Sequence, residues 1–153
     1  MVLDILYREE QIDKISKRLN INKVDVNLII KNYSSYLQEK LNIGETIKIL
    51  NICYIKNVQE NSDFKLETLG YIATEIADNT NMGRETVLRV LSTLEECIIQ
   101  DIKNGKGYSL RGLVRIRCTD GKVRIKKSTK YNGKPVYVVT LNSFRRKVEL
   151  DAG

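Results

Sequence analysis

The sequence predicts an α+β fold in which one helix–helix–hairpin unit is written twice along the chain. Three observations predict it: an internal repeat at an offset of 61 residues, a helical apolar period that gives way to a strand period at the same place in each copy, and a strongly lopsided charge distribution.

Residues 26–56 (VNLIIKNYSSYLQEKLNIGETIKILNICYIK) align without a gap on residues 87–117 (VLRVLSTLEECIIQDIKNGKGYSLRGLVRIR). Few identities survive, but the pattern does. Val26, Ile29, Ile30, Tyr33, Leu37 and Leu41 match Val87, Val90, Leu91, Leu94, Ile98 and Ile102, a three-and-four spacing that makes one face of a long amphipathic helix in each copy. Asn22 and Gly83 stand before these helices as N-caps, and Gly44 and Gly105 stand after them, where a left-handed glycine commonly ends a helix.

Beyond each glycine the period becomes that of a strand. Thr46–Leu50 and Tyr108–Arg111 are expected as one short strand, Ile52–Lys56 and Leu113–Arg117 as its partner, with Asn51 and Gly112 in the turn. A shorter helix precedes each long one, with Ile12, Ile15 and Leu19 inward in the first copy and Leu69, Ile72, Ala73, Ile76 and Ala77 in the second. One unit has too little core to stand alone, so the copies, 1–66 and 67–153, are expected to pack on each other. Only the second continues. Thr119-Asp120-Gly121 and Tyr131-Asn132-Gly133 signal tight turns in a meander of Leu113–Cys118, Lys122–Lys130 and Lys134–Leu141, with a helical turn from Ser143 to Leu150. In the first copy Asn61-Ser62-Asp63 is a shorter turn with no basic extension.

The net charge of +7 is unevenly placed. Residues 1–80 carry 10 Lys/Arg against 12 Asp/Glu, whereas residues 81–153 carry 16 against 7. Within 103–147 there are 14 basic residues and one acid, Asp120. A solvated sheet face usually mixes signs, so this density points to a polyanion, whose condensed counterions clustered Lys and Arg release. The chain has no histidine, no phosphate-cradling glycine loop and no nucleophile elbow, and its three cysteines, Cys53, Cys97 and Cys118, form no CxxC pair. Neither an enzyme nor a metal or other cofactor is expected. With no apolar run of membrane length and no export signal at Met1-Val2-Leu3-Asp4, a cytoplasmic protein is expected.

With the unit assembled, the chain resembles the bacterial histone-like HU and integration-host-factor family. Glu10 to Lys56 looks like that family's helix, long helix and hairpin almost element for element; Tyr71 to Arg117 looks like it again, with a few extra residues between the helices. At the C-terminus Phe144 and Leu150 agree with the family's spacing, while Asn142 and Lys147 replace its proline and glycine. Gly133-Lys134 resembles the pair after the family's arm tip, but the family's intercalating proline would fall near Lys130, and the single proline is Pro135. The resemblance implies a double-stranded DNA-binding, nucleoid-associated architectural protein of low sequence specificity, working as a pseudo-dimer within one chain or as a homodimer.

In the expected ribbon Arg115 and Arg117 alternate with Val114, Ile116 and Cys118, and Arg124 and Lys126 with Val123 and Ile125, which gives cations outward over an apolar layer. The candidate DNA contacts are these four together with Arg111, Lys122, Lys127, Lys130, Tyr131 and Lys134 along the strands, and Arg145, Arg146 and Lys147 on the final helix. Few acids lie near the last three in sequence, so they are expected to be available to phosphate. Glu95 and Glu96 are adjacent on a helix, diverge, and make no catalytic dyad.

Two other readings remain. Residues 72–94 also resemble a helix-turn-helix with a wing, with Gly83 in the turn and Arg84, Thr86 and Arg89 on a recognition helix at 84–94. Alternatively, the acidic first half docks on a protein partner, as a phage or accessory factor acting on nucleoid proteins would.

Overall fold

A computed structural model describes residues 9–57, 68–110, 114–127, 130–131 and 134–149, with side chains at all of these except 57, 109, 110, 114, 127, 131 and 134. The first copy of the repeat runs α1 (Glu9–Leu19), α2 (Lys23–Asn42), β1 (Ile47–Ile49) and β2 (Cys53–Asn57). The second runs α3 (Leu69–Thr80), α4 (Arg84–Lys103), β3 (Tyr108–Leu110) and β4 (Val114–Thr119), followed by β5 (Lys122–Lys127), β6 (Lys130–Tyr131), β7 (Lys134–Thr140) and α5 (Asn142–Glu149). The result is an α+β fold with small antiparallel sheets. Among the described residues no helix is long and apolar enough to cross a membrane. The hairpin turn at Gly112, the turn at Asn61-Ser62-Asp63 and Leu150 lie outside the described residues.

The offset of 61 holds for the backbone. The long helices span 23–42 and 84–103, and the strands after them begin at 47 and 108. Gly44 and Gly105 both sit at φ 88°. Each closes the same C-terminal lock: Gly44 N–H to Leu41 C=O and Glu45 N–H to Lys40 C=O in one copy, Gly105 N–H to Ile102 C=O and Lys106 N–H to Asp101 C=O in the other. The short helices end alike too, at left-handed Asn20 (φ 55°) and Asn81 (φ 58°), residues whose short polar side chains tolerate that region. Asn22 caps α2 by accepting from Val24 N–H at 2.9 Å, and Gly83 stands at the same place before α4 without a side-chain bond. The family resemblance implied extra residues between the second pair of helices. The second copy has none beyond the first: the connections 20–22 and 81–83 are equal in length.

The copies pack reciprocally. α1 lies on α4 and α3 lies on α2, with α2 against α4 between them. The buried apolar residues form one cluster drawn from both halves, including Ile15, Ile29, Tyr33 and Leu37 from the first and Ile76, Val90, Leu91 and Ile98 from the second. Glu10–Lys106, Lys14–Asp101 and Arg18–Glu96 ion pairs run along the α1–α4 contact in antiparallel order. Beneath them, buried Gln11 donates through Nε2 to Asp101 Oδ2 and to the Tyr108 hydroxyl at 2.6 Å, and that hydroxyl donates to Asp101 Oδ2 at 3.1 Å. The reciprocal α3–α2 contact has Ile72, Lys40 and Ile47 at the corresponding positions. The two contacts therefore differ in chemistry while sharing a backbone.

The strands form two sheets, β1-β2-β7-β6 and β3-β4-β5. The β4–β5 hairpin turns on Asp120 (φ 53°) and Gly121 (φ 75°), as the tight-turn signal predicts. The expected three-strand meander, however, stops after β5. β7 crosses to the first copy and pairs antiparallel with β2, from Cys53↔Thr140 to Asn57↔Val136. The physical reason is that β2 buries Cys53 and Ile55 but is paired by its own half only along the β1 edge. β7, with Val136 and Val138 alternating inward, supplies the missing edge and continues the apolar layer. The exposed edge of β5 is met by α5 instead: Val123 N–H donates to Glu149 Oε1 at 3.1 Å, and Arg145 donates to Val123 C=O at 3.4 Å.

Replacing Gly105 by Ala should lower stability by about 1 kcal/mol in urea unfolding, because φ 88° strains any Cβ while open space surrounds that position. An Asn there should cost less. Burial raises the Cys53 thiol from its ordinary 9.0 to about 12. The neutral thiol therefore favours the fold fully below pH 9, and that contribution is lost as pH rises toward 12. Unfolding midpoints should fall across this window, and less steeply for Cys53→Val.

Candidate nucleic-acid interface

The register of β4 and β5 sets the geometry of the basic residues. Arg115 lies opposite Lys126, Arg117 opposite Arg124, and Thr119 opposite Lys122. Their neighbours Ile116 and Val123 are buried, and Cys118 and Ile125 are partly so. Strand alternation therefore turns Arg115, Arg117, Lys122, Arg124 and Lys126 onto one face, where all five are exposed. Among the described residues no Asp or Glu occupies an outward position of β4 or β5. Like charges directly opposite one another on adjacent strands repel, so this face costs the fold some stability that an anion would restore. Gly107 makes room here, since a Cβ on it would lie 3.1 Å from Arg117 Cγ and Nε.

The surface continues onto α5. Gly121, Lys122, Asn142, Arg145, Arg146 and Glu149 line an open cleft of about 610 Å³ between the β4–β5 turn and the start of the last helix. The expectation that the three cations of α5 have no acidic partners is corrected for two of them. Arg145 pairs with Glu149 at 3.5 Å as it braces the edge of β5, and Lys147 pairs with Glu95 at 3.7 Å. The sequence near α5 concealed the second pair because Glu95 arrives from α4. Arg146 is exposed. Lys130 is exposed on β6 and belongs to the other sheet, away from the ribbon expected to contain it. Arg111 lies outside the described residues, as do the side chains of Lys127, Tyr131 and Lys134 and the turn at Asn132-Gly133.

Two acids of α4, Glu95 and Asp101, are buried and organise the interior. Glu95 is 11% exposed at its side chain against 69% for Glu96, so the two do diverge. Glu95 Oε1 accepts from Asn51 N–H at 2.7 Å and so ties α4 to the β1–β2 turn of the other copy. Next to it Leu50, at a left-handed φ of 47°, donates its N–H to the Tyr33 hydroxyl at 2.9 Å. Burial raises the pKa of Tyr33, which keeps the hydroxyl protonated and hydrogen-bonded in the core. Asp101, the second acid, accepts within the Gln11–Tyr108 network.

On the rival segment, Arg84 is turned back along its own unit: Nε lies 3.0 Å from Thr74 Oγ1 and 3.3 Å from Gly70 C=O, donating to both. Arg89 is exposed and Thr86 partly so, but α4 buries residues along most of its length as a central element of the core. Comparison of the chain with protein-family models, with curated proteins and with solved structures returned no match.

Arg124→Glu, which places a carboxylate opposite Arg117, should raise stability by about 0.5 kcal/mol in urea unfolding at low salt. The gain should shrink as salt rises, because these charges are solvent-facing and screened. An unchanged or lower midpoint would show that the five cations do not strain the fold.

Proposed function

We propose that the chain is a double-stranded DNA-binding protein of the HU and integration-host-factor type, in which two copies of the unit pair within one polypeptide and only the second carries a basic ribbon. The observation that carries this reading is the unbroken cationic face of β4 and β5, with Arg115, Arg117, Arg124 and Lys126 in like-charge register over an apolar layer. Reciprocal packing of α1 on α4 and α3 on α2 supports the intramolecular pairing. The ribbon is short and closed by a two-residue turn, which favours gripping the phosphate backbone over inserting a wedge between base pairs. Binding of this kind reads DNA shape and charge, so sequence preference is low and the role is architectural, in the nucleoid.

A fluorescence titration of labelled duplex DNA across salt concentrations tests it. The wild-type chain should bind with a steep salt dependence, and the Arg115/Arg117/Arg124/Lys126→Ala variant should lose most of the affinity, with a log–log slope shallower by about 3 to 4. Tighter binding to nicked or bent duplex than to straight duplex fits the architectural role. No binding by the wild type at low salt would overturn the reading.

A further inference from the structure

The outward face of the other sheet has a different chemistry. β1, β2 and β7 bury Ile47, Ile49, Cys53, Ile55, Val136 and Val138, which leaves Lys48, Tyr54, Lys56, Tyr137 and Val139 on the far side. The register sets them in two rows, Lys48–Tyr54–Val139 and Lys56–Tyr137. Tyr54 and Tyr137 are thus diagonal neighbours on adjacent strands, within reach of a common ligand. Tyr137 is 37% exposed and Val139 42%, both large for apolar side chains on a sheet. Lys56 Nζ lies 5.7 Å from the centre of the Tyr137 ring. Lys130 faces the same way from β6, opposite Pro135. Among the described residues this face, like the ribbon, has no Asp or Glu at an outward position. At the offset of 61, Tyr54 corresponds to Arg115 and Lys56 to Arg117. One sheet presents guanidinium groups where the other presents a phenol ring beside an ammonium.

We infer that this second face is a stacking platform for unpaired bases of single-stranded DNA, with Tyr54 and Tyr137 as the rings and Lys48 and Lys56 beside them for phosphate. Paired bases in a duplex are already stacked and hidden, so a duplex offers phosphates to a ribbon of cations but nothing to an exposed ring. Unpaired bases offer a π-face of any identity, and tyrosines flanked by lysines are the chemistry that takes it. A second copy of this chain is a poor occupant, because a self-paired contact would bring Lys48, Lys56 and Lys130 against one another. Taken with the ribbon, the platform makes the preferred ligand a duplex that carries a single-stranded extension. The inference rests on the duplex-binding reading for the ribbon and is separable from it.

The test uses the full chain with three probes: a blunt duplex, the same duplex extended by about ten thymidines, and an oligothymidine alone. The extension should tighten wild-type binding about tenfold. Tyr54→Ala/Tyr137→Ala should lose that gain while binding the blunt duplex as before, which also shows that the variant is folded. Tyr54→Phe/Tyr137→Phe, which keeps the rings, should retain it. The chain has no tryptophan, so quenching of its tyrosine fluorescence by oligothymidine reads stacking directly, and the alanine pair should lose part of that signal. Equal wild-type affinity for blunt and extended duplex, or a gain that survives in the alanine pair, overturns the platform and leaves the ribbon reading intact. Binding to the oligothymidine without binding to the blunt duplex supports the platform and overturns the ribbon reading. Binding to none of the probes overturns both.

Discussion

Strand β2 has a second edge that its own half of the chain does not pair, and much of the structure follows from that. β1 covers one side; the other waits for β7, which reaches it only after the whole second copy has been laid down. Once β7 has crossed, the sheet β3-β4-β5 keeps β5 at its margin, and α5 is placed where Arg145 and Glu149 can satisfy the peptide groups of Val123 on that margin. An unprotected edge strand invites pairing with another chain, so this side-chain cover matters beyond its two hydrogen bonds.

The two halves share a skeleton and differ in what hangs on it. Left-handed asparagines, left-handed glycines and the bonds that close each long helix recur at the same offset, because a chain reversal constrains the backbone more than the side chains. Between those fixed points the residues diverge toward separate tasks. The α1–α4 contact carries a buried polar network through Gln11, Asp101 and Tyr108, whereas its counterpart carries Ile72 and Ile47. Buried polar groups are costly away from their partners, so Gln11 and Asp101 are held to the contact in which they meet. This network favours a first half meeting a second half over either half meeting its own kind.

Much of this was legible in the sequence. The apolar spacing from Val26 to Leu41 and from Val87 to Ile102 located both long helices; Asn22, Gly83, Gly44 and Gly105 marked their ends; and Asp120-Gly121 marked the hairpin. The face shared by Arg115, Arg117, Arg124 and Lys126 follows from alternation alone, since local periodicity fixes which side of a strand a residue occupies. Strand partners are another matter. The alternation of Val136 and Val138 says that β7 buries one face, but not that it does so beside β2 rather than β5. For the same reason the sequence sets Lys130 with the wrong sheet, and the distant partners of Glu95 and Asp101 leave no local trace. The left-handed turns at Asn20 and Asn81 left a local signal, a matched pair of asparagines, that the apolar pattern overshadowed.

The crossing of β7 also has a consequence in time. A ribosome adds on the order of 5–20 residues per second, and Cys53 leaves it well before its strand partner Thr140 has been made. For several seconds the nascent first half carries the apolar residues of β2 without the strand that will pair its second edge. Its long helix, too, lacks the neighbour that will cover it. The first unit is thus completed last, when the pairing of β7 and the packing of α4 cover what vectorial synthesis has left bare.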